Sequence, residues 1–292
     1  MKQYLLLILS CINITSFGQV ATGLVKCANF STEDVIFRSA GVDLAGTIFK
    51  PKVANAAVVI VHGSGQESRM LKFAELLAGN GIAVLTYDKR GVGKSGGVYA
   101  GPEVGTNNID KSNLNLLASD ASAASKVLSA AVLLKNVPLG LMGFSQAGWI
   151  IPIAAKKDRN VTFFVLFSGP AITTLEQLRF QFYTQGKSNF WDTHTEAEAR
   201  EHIQNDPDRY QFVNTDPRDA LSILPIRGLW IFGGKDVQIP TRLSIERLHA
   251  LKAQGKRYEY RLFPELDHNT PFSSSKEPVE FAIQWINNLL RN

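Results

Sequence analysis

The chain has 292 residues, 45% of them apolar and 20% charged, the balance of a globular protein with ample material for a core. Its formal net charge of +5 comes from Lys and Arg scattered without a basic stripe, so nucleic-acid binding has no support. The only two cysteines are Cys11 and Cys27, which excludes a disulfide framework, and no metal-ligand cluster stands out, so neither metal nor cofactor is expected.

Residues 1–18, MKQYLLLILSCINITSFG, carry one Lys, an apolar centre and a polar end at Ser16-Phe17-Gly18. That order predicts a secretory signal peptide cut before Gln19, and hence a secreted or periplasmic protein. The stretch is too short for a membrane span, and no later run is apolar for long enough. A lipoprotein reading through Cys11 is weaker, because bulky Leu9 stands where a small residue is preferred. Residues 19–292 suit one large α/β domain, with or without an insertion.

From there strands and helices alternate. Residues 35–38 and 42–49 read as a hairpin turning at Ala40-Gly41, and 56–61 as a buried strand ending in His62-Gly63-Ser64-Gly65. A helix over 70–77 leads to a buried strand at 82–87, which ends at Asp88. Gly91–Gly96 fits G-x-G-x-x-G, yet 97–105 cannot continue as a helix, and Asp88 occupies the place of the first Gly of a phosphate loop. A structural turn, tied down by Asp88 and Arg90, is the simpler reading. Residues 114–134 carry the spacing of a long helix.

In 138–153, PLGLMGFSQAGWIIPI, an apolar strand runs into Gly143-Phe144-Ser145-Gln146-Ala147-Gly148 and a helix leaves. A strand, a sharp turn with Ser at its apex and a helix describe a nucleophile elbow. Gly143 and Ala147 are small where strand and helix come closest, and Ser145 sits at the positive end of the helix. The usual last Gly of G-x-S-x-G is Ala147 here, with Gly148 one step later.

A strand at 161–167 follows. Residues 171–224 then break the rhythm: helical in propensity and rich in aromatics, they predict an inserted helical cap over the strand ends. A peripheral excursion without substrate contact is the alternative. Strands at 229–232 and 258–263 flank a helix over 242–253, and 279–290 closes the chain as a helix. The pattern predicts a mostly parallel sheet with an N-terminal antiparallel hairpin and helices on both faces.

A serine needs an imidazole to take its proton. His62 opens a Gly-rich turn, His194 and His202 lie in the polar cap as solvated residues, and His249 sits inside a helix. His268, on the loop after the last strand, remains as the base. Asp236, in the loop after the strand at 229–232, is the expected acid, because the order Ser145, Asp236, His268 is that of elbow hydrolases. Asp267 is a rival on proximity, but adjacent loop side chains seldom face each other. The oxyanion donors expected are the N–H of Gln146 and that of Ser64, with Gly65 next.

With these residues in place the chain resembles the α/β-hydrolase superfamily, in the esterase-like branch related to dienelactone hydrolases, acyl-thioester hydrolases and serine aminopeptidases. The resemblance rests on GVDLAGTIFKP, HGSG, YDKRGVGKS, GFSQAGW, FSGPA, GGKDVQIP and the His268 loop. It implies hydrolysis through an acyl-enzyme, with Ser145 as nucleophile, Asp236 as acid and His268 as base. The expected activity is that of a carboxylesterase on small-molecule esters with small to medium acyl groups. A peptidase or thioesterase is the runner-up, with Glu196, Glu198 and Glu201 as weak anchors for a substrate amine. A silent hydrolase fold used for binding is the reading from another class, against which the intact triad stands. Substrate contacts are expected from Trp149, Phe182, Tyr183 and Trp191, with Phe180 and Phe190 completing an aromatic roof over Ser145.

Overall fold

The computed structural model describes residues 30–132 and 137–289. The predicted signal peptide, Gln19, Cys11 and Cys27 lie outside them. Eight strands form one sheet in the order β1-β2-β4-β3-β5-β6-β7-β8. They are β1 Phe30–Ser39, β2 Val42–Pro51, β3 Ala56–Val61, β4 Ile82–Tyr87, β5 Leu139–Phe144, β6 Val161–Phe167, β7 Arg227–Gly233 and β8 Tyr258–Phe263. β2 pairs antiparallel with both β1 and β4, and every other pairing is parallel. This is the α/β-hydrolase arrangement expected from the sequence.

The strands that join the centre are buried on both faces, which is why β3 reads AAVVIV without a polar residue. Its side chains part by parity. Ala57, Val59 and Val61 enter one core, while Ala56, Val58 and Ile60 enter the other. The first core is closed by helices α3 Lys111–Val132, α4 Ala147–Lys157 and α8 Thr241–Ala253, and the second by α1 Leu71–Gly79 and α9 Glu277–Asn287. A four-residue helix, α2 Thr106–Ile109, precedes α3. β1 starts five residues before the predicted strand. The extra segment, Phe30–Asp34, carries Ser, Thr, Glu and Asp on an exposed edge, so it shows no apolar run. Ala40 and Gly41 turn the hairpin with φ of 40° and 85°, the pair of positive values that a tight two-residue turn requires.

Between β6 and β7 the chain leaves the sheet for three helices, α5 Thr174–Thr184, α6 Glu196–Asn205 and the short α7 Arg218–Leu221. Capping boxes start the first two: Thr173 with Glu176, and Thr195 with Glu198. Their apolar residues Ile172, Phe180, Phe190, Ala199 and Ile203 form a third, smaller core with Val237 and Leu243. None of the helices among the described residues is long and apolar enough to cross a membrane.

Candidate active site

The elbow is built by steric exclusion. Ser145 has φ of 49°, a left-handed conformation that costs a non-Gly residue and survives only when its surroundings enforce it. Its N–H donates to Phe167 O at 3.0 Å, pinning the turn to the end of β6. A side chain at Gly143 would collide with the Ala147 methyl and lie 2.9 Å from Val61 O. One at Gly148 would run into the Pro170 ring. Ala147 is therefore tolerated because Gly143 faces it, and the glycine found one step later answers to Pro170.

Asp236 and His268 come together. The Asp236 carboxylate is 1% exposed, and its Oδ1 accepts the N–H groups of Gln238 and Ile239 at 2.7 and 2.9 Å. Its Oδ2 accepts from His268 Nδ1 at 2.8 Å. That bond fixes the ring and leaves Nε2 as the proton acceptor of the neutral imidazole. Asp267 turns outward to accept the N–H of Asn269. Burial alone would lower the His268 pKa. The charge and hydrogen bond of Asp236 outweigh it, with Asp267 and Glu103 adding, so the pKa is raised. Ser168, missed in the sequence, donates its hydroxyl to His268 O at 2.7 Å and anchors the loop behind the ring.

Ser145 and His268 line one pocket of about 120 Å³, although no hydrogen bond joins them in this geometry. Such contacts are often long without substrate and tighten when it binds. Ser64 lines the same pocket, and neither its N–H nor that of Gln146 has a partner among the described residues. The apolar wall consists of Phe144, Phe167 and Phe272, with Phe144 stacked on Phe167 at 5.6 Å and tilted to Phe272 at 5.4 Å. Two carboxylates, Glu67 and Glu103, complete the rim. A groove of about 690 Å³ adjoins it and shares Gln238, His268, Asn269 and Phe272.

His62 shapes the loop, as expected: its ring meets Tyr87 O on one side and Glu67 Oε2, at 3.2 Å, on the other. Burial would raise the Glu67 pKa, but the His62 hydrogen bond and charge, Lys89 and the Gly63 N–H together lower it. Asp88 accepts from Arg69 and from the Lys94 N–H, while Arg90 binds the buried Asp120 and Ser39 O. The glycine-rich turn is therefore structural.

A sequence model of the serine aminopeptidase family, S33, matches residues 52–219, more than half of the chain. The chain belongs to the S33 serine aminopeptidase family. No curated protein matches it significantly. Among solved structures, the acylaminoacyl peptidase of Pyrococcus horikoshii superposes with a TM-score of 0.63 at 16% identity, covering 91% of this chain. The chain spans only 42% of that peptidase. The Pyrococcus furiosus esterase Pf2001 gives 0.61 at 17% identity, over 88% of this chain and 89% of the esterase. The α/β hydrolase GrgF from Penicillium gives 0.56 at 17%, over 88% and 98%. At such identities the likeness is one of fold, and with the family match it makes the chain a serine hydrolase of the α/β-hydrolase fold.

The aromatic roof expected over Ser145 is not what this S33 chain builds. Trp149, on the elbow helix itself, is buried and donates to Ile172 O at 2.8 Å. Phe182 is exposed and stacks on Tyr210. Tyr183 stacks on His202, and His194 on Phe190, so these two histidines are packed within the excursion instead of free in solvent. Trp191 reaches the site from behind, donating to Asp236 O at 2.9 Å. None of the four predicted substrate contacts lines the Ser145 pocket. An aromatic crowd in sequence does not say which way it faces, and here Ile172, Val237 and Leu243 claim it. The glutamates considered as amine anchors are elsewhere too: Glu196 pairs with Arg200, Glu198 caps α6, and Glu201 is exposed.

Proposed function

We propose that this serine hydrolase is a carboxylesterase for short acyl groups, working through an acyl-enzyme on Ser145. One observation carries the reading: a serine at a strained turn shares a small phenylalanine-walled pocket with a histidine whose far nitrogen is held by a buried Asp. Ser145 Oγ attacks the ester carbonyl and its proton passes to His268 Nε2. The N–H groups of Gln146 and Ser64 receive the oxyanion. As the intermediate collapses, the alcohol leaves with the proton from His268, and water then repeats the sequence to free the acid. Asp236 holds the ring in place and steadies the imidazolium.

The acyl chain fits the 120 Å³ pocket and the alcohol the larger groove. We propose the excursion over 171–224 as a cap, a reading supported by Gly186 and Ser188 lining that groove. A second reading, release of amino-terminal residues, draws on Glu67 and Glu103 beside Ser145, where a substrate ammonium would find negative charge. A panel of p-nitrophenyl esters, aminoacyl anilides and acyl thioesters separates the two. Turnover of acetyl and butyryl esters with no measurable cleavage of any anilide supports the esterase, because activated esters are the easier substrates for either enzyme; efficient anilide cleavage establishes the peptidase. We also propose export through residues 1–18. Protein isolated from its native host should begin at Gln19, and an intact Met1 or a lipid on Cys11 would overturn that.

A further inference from the structure

Lys89 follows Asp88 beyond the end of β4. It is 3% exposed, and no other lysine among the described residues is buried. An ammonium has three protons to give. Lys89 Nζ reaches Gly63 O at 2.6 Å, Gly65 O at 3.2 Å and Gln146 Oε1 at 3.2 Å. Two acceptors lie on the loop after β3 and one on the elbow. No carboxylate is within ion-pair distance of it among the described residues. Burying a cation without an ion pair is costly, so a residue doing no more than filling this space would be apolar.

The acceptors themselves suggest the purpose. In a planar trans peptide, the C=O and the N–H of one plane point in opposite directions. A donor that fixes Gly63 O therefore fixes the heading of the Ser64 N–H, away from Lys89. The next peptide is held in the same way: Tyr99 Oη and Asn108 Nδ2 donate to Ser64 O at 2.7 and 2.9 Å. Gln146 closes the ring, since its Oε1 accepts from Lys89 while its Nε2 donates to Asn108 O at 2.9 Å. One ammonium thus holds the carbonyl of the peptide that carries the Ser64 N–H and, through its side chain, the residue that carries the other expected donor, Gln146.

We propose that Lys89 is the positioning residue of the oxyanion hole, aiming the Ser64 N–H at the point where the ester oxygen gains charge and bracing the elbow through the Gln146 side chain. The inference rests on the reading of Ser145 as nucleophile. Its charge also polarises the Gly63–Ser64 amide, which makes the Ser64 N–H a stronger donor. Lys89 does not line the Ser145 pocket, so it acts through the N–H groups that face the oxyanion, whose charge appears only in the transition state.

A dependence on pH follows. Burial lowers the Lys89 pKa to about 8, against the raising pull of Glu67 and Glu103. The groups around it are His62 and Glu67 on the loop after β3, and Glu103 and Tyr99 on the segment before α2, with the Tyr99 ring 5.4 Å away. As pH rises through about 8 the ammonium becomes an amine, losing its charge and one donor. The hole then loosens, whereas the base, His268, stays neutral and competent.

The experiment compares wild type, Lys89→Met and Ser145→Ala on p-nitrophenyl butyrate from pH 6 to 9.5, together with inhibition by a trifluoromethyl ketone that forms a tetrahedral adduct. Losing one oxyanion donor costs about 100- to 1,000-fold in kcat, so mis-aiming by Lys89→Met should cost roughly 10- to 100-fold at pH 7 with KM little changed. The ketone should bind weaker by the same factor. Wild-type kcat should fall above pH 8, and the variant should lack that limb. A wild-type profile flat to pH 9.5 overturns the proposal, and it needs no folded variant. So does a Lys89→Met enzyme within about threefold of wild type, or one that loses only KM. An active Ser145→Ala enzyme sinks the underlying reading instead.

Discussion

The strand ends and the helical excursion between β6 and β7 place their side chains by opposite means. At the strand ends, each active group is fixed by backbone already committed to the sheet: the Ser145 N–H is bound to β6, the Asp236 carboxylate accepts two N–H groups from its own loop, and Ser168 holds the His268 carbonyl. The excursion has no such ladder. It builds a small core with Val237 and Leu243 and holds the loop of Asp236 through side chains. Three consecutive carbonyls of the acid loop are held this way: Asp236 O by Trp191 at 2.9 Å, Val237 O by Thr184 at 2.6 Å and Gln238 O by Gln177 at 3.1 Å. Its residues therefore hold the Asp236 loop from behind and leave the pocket wall beside Ser145 to Phe144, Phe167 and Phe272. The Asp236–His268 pair is set at the strand ends and braced by the excursion.

That division can be broken by substitution, and the strand ends should respond most. Ser145→Ala should remove turnover by four orders of magnitude or more, about the scale seen when one member of such a unit is lost. Its thermal midpoint should stay within a few degrees of wild type, because no partner of Ser145 Oγ is stranded. An alanine enzyme keeping more than about a tenth of wild-type kcat would refute the elbow as the source of the nucleophile. Asp236→Asn should cost roughly 1,000- to 10,000-fold, by holding the imidazole in the wrong tautomer, while Asp267→Asn changes kcat by less than about threefold. Equal losses in both would mean that the acid is shared.

The acid limb of the pH profile tests the same geometry more gently. With its pKa raised, His268 gains a proton as pH falls through a value above the usual 6.5, and only the neutral ring can act as base. The limb in kcat/KM should therefore lie above 6.5 in wild type. An Asp236→Asn enzyme, lacking the carboxylate that lifts the pKa, should show it displaced downward; a limb that does not move denies the Asp236 charge that role.

Changes in the excursion should be milder. Trp191→Phe keeps the stacking but leaves Asp236 O without its donor, so stability should drop by about 1 kcal/mol, the net worth of one hydrogen bond, and kcat by several-fold. Activity on esters of every chain length should fall together. Smallest of all, Phe272→Ala should leave acetyl ester turnover nearly intact and reduce the gain from acetyl to butyryl, each lost methylene contact contributing up to ~0.8 kcal/mol. Phe182→Ser, on the outer face of the excursion, should alter neither. A flattened acyl series in Phe182→Ser would reverse the assignment of the wall.

What could be read from the sequence follows from how local each signal is. The elbow was legible because its constraint is steric and confined to six residues, Gly143 to Gly148. The meeting of Asp236 and His268 was legible from their places after strands and from their order. The reach of Lys89 to two loops was not, since its partners stand 26 and 57 residues away, at Gly63 and Gln146, and its sequence neighbours look like a basic turn. The phenylalanine wall escaped for a related reason. Phe144, Phe167 and Phe272 each sit at an element's end where one aromatic looks ordinary, and only the fold gathers them. The excursion shows the converse error. Its aromatics were conspicuous as a group, yet a cluster large enough to be noticed is also large enough to be its own core.

β1 and β8 are the outermost strands of the described sheet, and an outermost strand offers unpaired backbone groups to any neighbouring chain. Both carry charges along their length. Glu33 pairs with Lys50 and Arg38 with Asp43 on one side, and Glu259 pairs with Arg227 on the other. A second molecule adding a strand at either side would have to strip water from these ions. The design resists fibre-like self-association, and neutralising Glu33, Asp34 and Arg38 together should make concentrated solutions of the protein prone to it.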